Sequence, residues 1–102
     1  MSFSDVLSDM AAASLGEIKE GAGEIGTFIR ESLEEKEASL KELYDAFRGE
    51  LIDEAGLVRE LNRELKVMEV KLLTVRTIKK ATAQRAVNAA VDVFRASVKA
   101  VL

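Results

Sequence analysis

The sequence from Gly21 to Gly26, GAGEIG, has the spacing G-x-G-x-x-G that surrounds a pyrophosphate with backbone amides in dinucleotide-binding folds. That chemistry requires a strand before the glycines and an acidic residue about 20 positions later, at the end of a second strand. The preceding residues, AAASLGEIKE, form no strand pattern, and the acidic candidates Glu42 and Asp45 lie inside a helical run. The motif therefore does not predict nucleotide binding.

A group of carboxylates in the first half of the chain raises the possibility of a metal site. It comprises Glu31, Glu34, Glu35 and Glu37. Di-metal sites in helical bundles combine such Glu residues with Glu-x-x-His pairs, and this chain contains neither His nor Cys. The same absence removes the commonest general base and the thiolate nucleophile. We expect a solvated acidic face, no metal, no cofactor, no small-molecule substrate and no enzymatic activity.

The basic segment 66–85 indicates a different kind of partner. It holds six Lys or Arg residues against one acidic residue, Glu69, which is the pattern that raises nucleic-acid binding. At helical spacing these cations point to different sides, and no aromatic residue lies among them. Residues 1–50 carry 5 basic and 12 acidic residues (net -7), whereas residues 51–102 carry 10 and 6 (net +4). Pairing between the two halves therefore explains the basic segment better than nucleic acid does.

Apolar residues recur at helical spacing along nearly the whole chain. From Ile18 to Leu51 they repeat every eleven residues, and a further stripe runs from Ala83 to Val101. Between these stripes lies a heptad seam with Leu51, Val58, Leu65 and Leu72 at one position and Leu61, Met68 and Val75 at the other. The sequence predicts an all-α fold. A strand at 70–78 is the alternative, but no second strand-like run exists to pair with it.

Turn and cap residues predict how the helices are connected. Ser2 and Asp5 have capping-box spacing, Gly49 follows a basic residue at the middle of the chain, and Asp53 can cap the next helix. We expect a single helical domain over 1–102, with helix one over about 3–48, a turn within 48–56 and helix two over about 53–101. Folding back there sets the acidic half against the basic half, which favours a long antiparallel hairpin of about 70 Å.

A two-helix hairpin shields one stripe per helix, and this chain has apolar residues outside its main stripes. They are Val6, Phe28, Leu43, Ile52, Leu57, Val67, Val70, Leu73, Val91 and Val93. This second apolar face predicts a homo-oligomer, first of all a dimer that closes a four-helix bundle or coiled-coil-like oligomer, or a helical protein partner. The predicted interface is the heptad seam: Leu51, Val58, Leu61, Leu65, Met68, Leu72 and Val75.

These features favour a structural or scaffolding protein that self-associates or grips a helical partner. The alternatives are a nucleic-acid-binding helical dimer that uses segment 66–85 and an amphipathic protein on a lipid surface. The longest uncharged run near the N-terminus, MAAASLG, is far shorter than the roughly 20 apolar residues of a membrane span. Because Asp5 and Asp9 interrupt any signal-peptide pattern, we expect a soluble cytoplasmic protein.

The turn sequence Phe47-Arg48-Gly49 resembles the Trp-x-Gly turn of the small secreted helical hairpins exported by type VII secretion systems. Phe stands where that family has Trp. The family's C-terminal Tyr-x-x-x-Asp/Glu signal is missing, because the only Tyr is Tyr44. The resemblance implies a helical hairpin with its turn at Gly49, and no function is carried over from it.

Overall fold

The computed structural model describes residues 2–18, 22–75 and 78–100, and this part of the chain is helical with no strand. The helices are α1 (Phe3–Gly16), α2 (Ala22–Glu35), α3 (Glu37–Arg48), α4 (Glu54–Glu64), α5 (Lys66–Leu72) and α6 (Lys80–Ala100). Helices α2 and α3 follow each other with a break at Lys36, and α4 and α5 follow each other with a break at Leu65. We call these two continuous runs the α2–α3 rod and the α4–α5 rod.

Helix α1 lies antiparallel to both α6 and the α2–α3 rod. At one end of the molecule the rings of Phe3, Tyr44 and Phe94 meet edge to face, with centroids 5.3 to 6.3 Å apart. Near the other end of α1 the Ser14 hydroxyl donates to the Ala86 carbonyl of α6 over 2.8 Å. Because the start of α1 faces late residues of α3 and α6 and its end faces an earlier residue of α6, neighbouring helices run in opposite directions.

The α4–α5 rod completes the arrangement beside the α2–α3 rod and α6. Lys36 and Glu64 pair across the two rods at 3.7 Å, and Lys99 near the end of α6 reaches Glu54 at the start of α4 over 2.8 Å. Short connections between successive helices give the antiparallel neighbours expected of a compact helical domain. One chain thus forms four antiparallel segments around a shared apolar interior.

That interior is closed by the chain itself. The largest side chains that are fully buried come from every helix: Phe94, Met10, Ile29, Leu33, Leu40, Leu57, Leu61, Leu65, Met68, Leu72, Val6 and Val98. Several of the buried residues of α1 and α6 are small, with Ser14, Ala86 and Ala90 all at 0% exposure. Small side chains allow these two helix backbones to approach closely enough for the hydrogen bond between Ser14 and Ala86.

The turn between α3 and α4 lies inside the range 48–56 that the sequence indicates. Helix α3 ends at Arg48, and the Asp53 carboxylate accepts a hydrogen bond from the Gly56 amide at 2.7 Å to cap α4. The position with a left-handed backbone is Glu50, whose φ is 61°, whereas Gly49 has an ordinary φ of -82°. The helix therefore stops near the expected glycine, but the non-glycine residue after it carries the unusual conformation.

The prediction of two helices of about 45 residues each is wrong. Such a hairpin would extend close to 70 Å, and the molecule measures 41 × 24 × 20 Å. Helix one is interrupted after Gly16 and at Lys36, and helix two at Leu65 and after Leu72; the predicted end at Val101 lies outside the described residues. Folding α1 back lets Val6 and Met10 enter a common core, which buries more apolar surface than an extended hairpin of this length.

Candidate interaction surface

The predicted interface residues occupy three different environments. Leu61, Leu65, Met68 and Leu72 are at most 1% exposed and belong to the core of the single chain. Val58 and Val75 are partly buried against that core. Leu51 is 80% exposed, at the turn between α3 and α4 beside a cleft of about 440 Å³. The heptad seam therefore faces helices of its own chain over most of its length.

The apolar residues outside the main stripes also divide into groups. Val6, Leu57 and Val91 are buried, and Leu43, Ile52 and Val93 are partly buried against the core. The exposed members are Val67 at 42%, Val70 at 51% and Leu73 at 41%, with Val67 and Val70 in α5 and Leu73 as its C-cap. We call these three residues the α5 ridge. It is the main group of large apolar side chains left open to solvent in the part of the chain that the structure describes.

Helical geometry explains why the ridge cannot enter the core. Met68 and Leu72 face inward from α5 with 1% and 0% exposure. At 100° per residue, Val67 and Val70 project from the opposite side of the helix to the mean direction of these two. The seam and the ridge are therefore two faces of one helix, and burying the first necessarily exposes the second.

The ridge continues into a row of cations on α4. Arg59 and Arg63 precede Val67 at intervals of four residues and are exposed on the same outward face. The Arg63 side chain is 79% exposed and lies 3.8 Å from Glu60, whereas Arg59 has no ion pair among the described residues. We call Arg59, Arg63, Val67 and Val70 the outer strip of the α4–α5 rod. It is basic at one end and apolar at the other.

Most carboxylates of this rod point away from the outer strip. Glu54 binds Arg95 and Lys99 of α6, and Glu64 pairs with Lys36. Glu69 is nine-tenths buried, and its carboxylate lies 3.6 Å from the Lys66 ammonium group. The positive charge along the strip is therefore only partly compensated within the chain.

The described residues show a strong pKa perturbation where the start of α4 pairs with the end of α6. Hydrogen bonds from Arg95 and then Lys99 lower the pKa of Glu54 to about 2, and the hydrogen bond to Glu54 raises the pKa of Arg95. Each group is stabilised in its charged form by the other. This cluster fastens the first turn of α4 to the last turns of α6, which is a structural role.

The other motifs of the sequence are dispersed by the fold. The glycine motif opens α2, with Gly21 itself outside the described residues, and no described strand precedes it. Lys71 pairs with Glu35 and Arg85 with Glu17, so two members of the basic segment contact the acidic half as the charge pattern indicates. Lys79 and Lys80 are exposed, and Arg76 lies outside the described residues. Segment 66–85 therefore does not form one continuous basic face.

The carboxylates of the acidic group, which are Glu31, Glu34, Glu35 and Glu37 of α2 and α3, are also not gathered at one point. No cluster of three or more potential metal-ligating side chains occurs within 2–18, 22–75 and 78–100. Of the helices over these same ranges, none combines the length and the apolar character needed to cross a membrane. Comparison of the chain with models of known protein families, with curated proteins and with solved structures finds no match.

Sequence reasoning missed Arg59 and Arg63 as neighbours of the ridge. A signal was available, because Arg59, Arg63 and Val67 follow each other at intervals of four on a helix whose seam residues lie on the other side. The change from arginines on α4 to valines on α5, along one outward face, identifies the outer strip. The heptad repeat of the seam is the stronger periodic pattern, and it predicts the seam residues as the interface.

Proposed function

We propose that this protein is a non-enzymatic structural or adaptor module that binds a helix of another protein along the α5 ridge. The observation that carries the proposal is the exposure of Val67, Val70 and Leu73 on a helix whose other face is already buried in the core. Helix-in-groove recognition reads apolar anchors at spacings of three and four residues, and the members of this ridge follow each other at intervals of three.

Helix propensity supports a role for the ridge outside folding. Valine is less favourable on an exposed helix position than Ala, Lys or Glu, because its branched side chain loses rotamer freedom. Val67 and Val70 therefore make α5 less stable than polar residues at the same positions would. Retaining two of them on a short helix is consistent with a binding surface that requires their side chains.

The proposal also agrees with what the chain offers for chemistry. Without His or Cys, catalysis would depend on carboxylates, Lys, Ser, Thr and Tyr. Among the described groups, a marked pKa shift occurs in the ion pair between Glu54 and Arg95, which already serves to join two helices. A shifted carboxylate that is held by two cations is fixed in its ionised form, which favours a structural role over proton transfer.

Peptide binding tests this proposal. Short synthetic amphipathic helices with Leu anchors, one flanked by Glu and one by Lys, are titrated into the protein and followed by fluorescence anisotropy. We expect at least one to bind the original protein and to lose most of its affinity for Val70→Asp. Because Val70 is half exposed, this variant keeps its helicity and unfolding midpoint, which circular dichroism checks. Binding of neither helix, or equal binding to Val70→Asp, would remove the α5 ridge as a helix-binding site.

A further inference from the structure

The outer strip joins two kinds of recognition on one helical face. Arg59 and Arg63 lie on α4, and Val67 and Val70 follow on α5 with the same outward direction. A helix laid along the strip would meet guanidinium groups over part of its length and aliphatic side chains over the rest. Its sequence must then match both, since an uncompensated charge or an apolar residue against an arginine lowers affinity.

We infer that the partner of the α5 ridge is an acidic amphipathic helix, with its carboxylates over Arg59 and Arg63 and its aliphatic residues over Val67 and Val70. This inference rests on the proposed function and specifies the chemistry of the partner. Charge complementarity carries it: the strip presents Arg59 without an ion pair among the described residues and Arg63 with a side chain that is 79% exposed. Arginine also provides paired donors that suit a carboxylate.

Two further cations flank the strip, and each is ion-paired within the chain: Lys66 with Glu69 and Lys71 with Glu35, both at 3.6 Å. Lys66 lies beside Val67 with a side chain that is 64% exposed, and Lys71 follows Val70. Lys71 also lies 5.7 Å from the centre of the Phe28 ring, which places this cation at the edge of the α5 ridge next to α2. Glu69, the carboxylate nearest in sequence to the ridge, is largely buried. The charge available to an acidic helix therefore comes chiefly from Arg59 and Arg63 rather than from these flanks.

Two alignments of a second copy along the strip set like charges against each other. A parallel alignment of two strips sets Arg63 against Arg63, and an antiparallel alignment centred on Val67 sets Arg63 against Lys71. Like charges that face each other across an interface lower affinity and select against that partner. These two alignments of a dimer are therefore disfavoured at low ionic strength.

The experiment compares the Glu-flanked and Lys-flanked helices on the same protein at low and high salt. We expect the Glu-flanked helix to bind about tenfold more tightly than the Lys-flanked helix at low salt, with the difference shrinking as salt rises. Arg59→Gln and Arg63→Gln should each weaken the Glu-flanked helix by about two- to fivefold and leave the Lys-flanked helix unchanged or improved. Arg30→Gln removes an exposed cation of α2 outside the strip and should change neither.

The outcomes separate this inference from the proposed function. Equal affinity for both helices, with loss of both on Val70→Asp, would keep the ridge as a binding site and overturn the acidic partner. Binding of neither helix would overturn both conclusions. Self-association that disappears in Val70→Asp, measured by light scattering, would assign the ridge to a second copy. Ridge-dependent binding of duplex DNA or anionic vesicles, with no preference for the Glu-flanked helix, would assign the surface to those ligands and also overturn the inference.

Discussion

Replacing Glu50 by Gly should stabilise the protein, because Glu50 occupies a backbone conformation that suits glycine. Its φ is 61°, and the two hydrogen bonds around it define a helix-terminating Schellman motif. The Glu50 amide donates to the Phe47 carbonyl at 3.1 Å, and the Leu51 amide donates to the Ala46 carbonyl at 2.9 Å. In this motif the left-handed position, here Glu50, is most often glycine because glycine has no Cβ.

The expected gain follows from two opposing terms. A residue with a Cβ costs about 1 to 2 kcal/mol in the left-handed region. Glycine in turn loses more conformational entropy on folding, about 0.5 to 1 kcal/mol relative to Ala. The difference favours Glu50→Gly over Glu50→Ala by about 0.5 to 1 kcal/mol in the free energy of unfolding. The Ala variant is the matched control, because it removes the carboxylate and keeps the Cβ.

Urea unfolding followed by circular dichroism measures this difference, and thermal unfolding should show the Gly variant melting several degrees above the Ala variant. Gly49→Ala provides a second control, since φ of -82° at Gly49 is open to any residue, and a tight contact of 3.3 Å between the added Cβ and the Asp45 carbonyl oxygen offsets the entropy gained by replacing glycine. We expect Gly49→Ala to change stability little. If Glu50→Gly were no more stable than Glu50→Ala, the left-handed position in this turn would be assigned to the wrong residue.

Two buried hydroxyls and one ion-pair cluster provide the remaining predictions. Ser14→Ala should cost about 1 kcal/mol through loss of the bond to Ala86, whereas Ser32→Ala should be neutral or stabilising, because the buried Ser32 hydroxyl has no partner among the described residues. Urea midpoints test this order, and a larger loss for Ser32→Ala would contradict it. The lowered pKa of Glu54 contributes stability that is complete above pH 4.5 and is lost as the pH falls towards about 2. Glu54→Gln should flatten this acid dependence in urea midpoints measured across the same range, and an unchanged slope would contradict the assignment to Glu54.

Local patterns in the sequence predict an all-α fold, and the described part of the chain is helical. Asp53 caps α4 because a carboxylate before a helix can accept from its first free amides, a property that depends on nearby residues alone. The apolar repeat that predicts helix around Leu33 and Leu40 depends only on helical period, and both residues are fully buried. Such signals act over a few residues, so a single sequence carries them.

The helix breaks at Lys36 and Leu65 had no comparable signal. Neither position contains Gly or Pro, the residues that usually mark a kink. At both positions the backbone keeps helical hydrogen bonds on the far side, from Leu40 to Lys36 and from Glu69 to Leu65. The Lys36–Glu64 ion pair shows that the two breaks lie side by side across neighbouring rods. This side-by-side placement is a contact between rods, which periodicity along one segment does not contain.

The sequence also could not show which molecule covers the heptad seam. Leu61, Leu65 and Leu72 would be spaced in the same way whether they faced a second copy or helices of their own chain. Only the packing of α2, α3 and α6 against the α4–α5 rod decides the matter, since these are the helices that contact α4 or α5. A seam of this kind predicts that a helix is covered and leaves the covering molecule open.

The outward face of the α4–α5 rod is a more specific guide to function than the seam. A helix that serves only to cover a core has polar residues opposite its buried stripe, and α4 follows this rule with Arg59 and Arg63. Helix α5 departs from it, because Val67 and Val70 occupy the equivalent outward positions while Met68 and Leu72 already fill the inward ones. Helix α5 therefore has two apolar faces, although folding requires only one apolar face on such a helix. The second face is only about half buried in the monomer, with Val67 at 42% and Val70 at 51% exposure, and this exposure supports the partner site that we propose there.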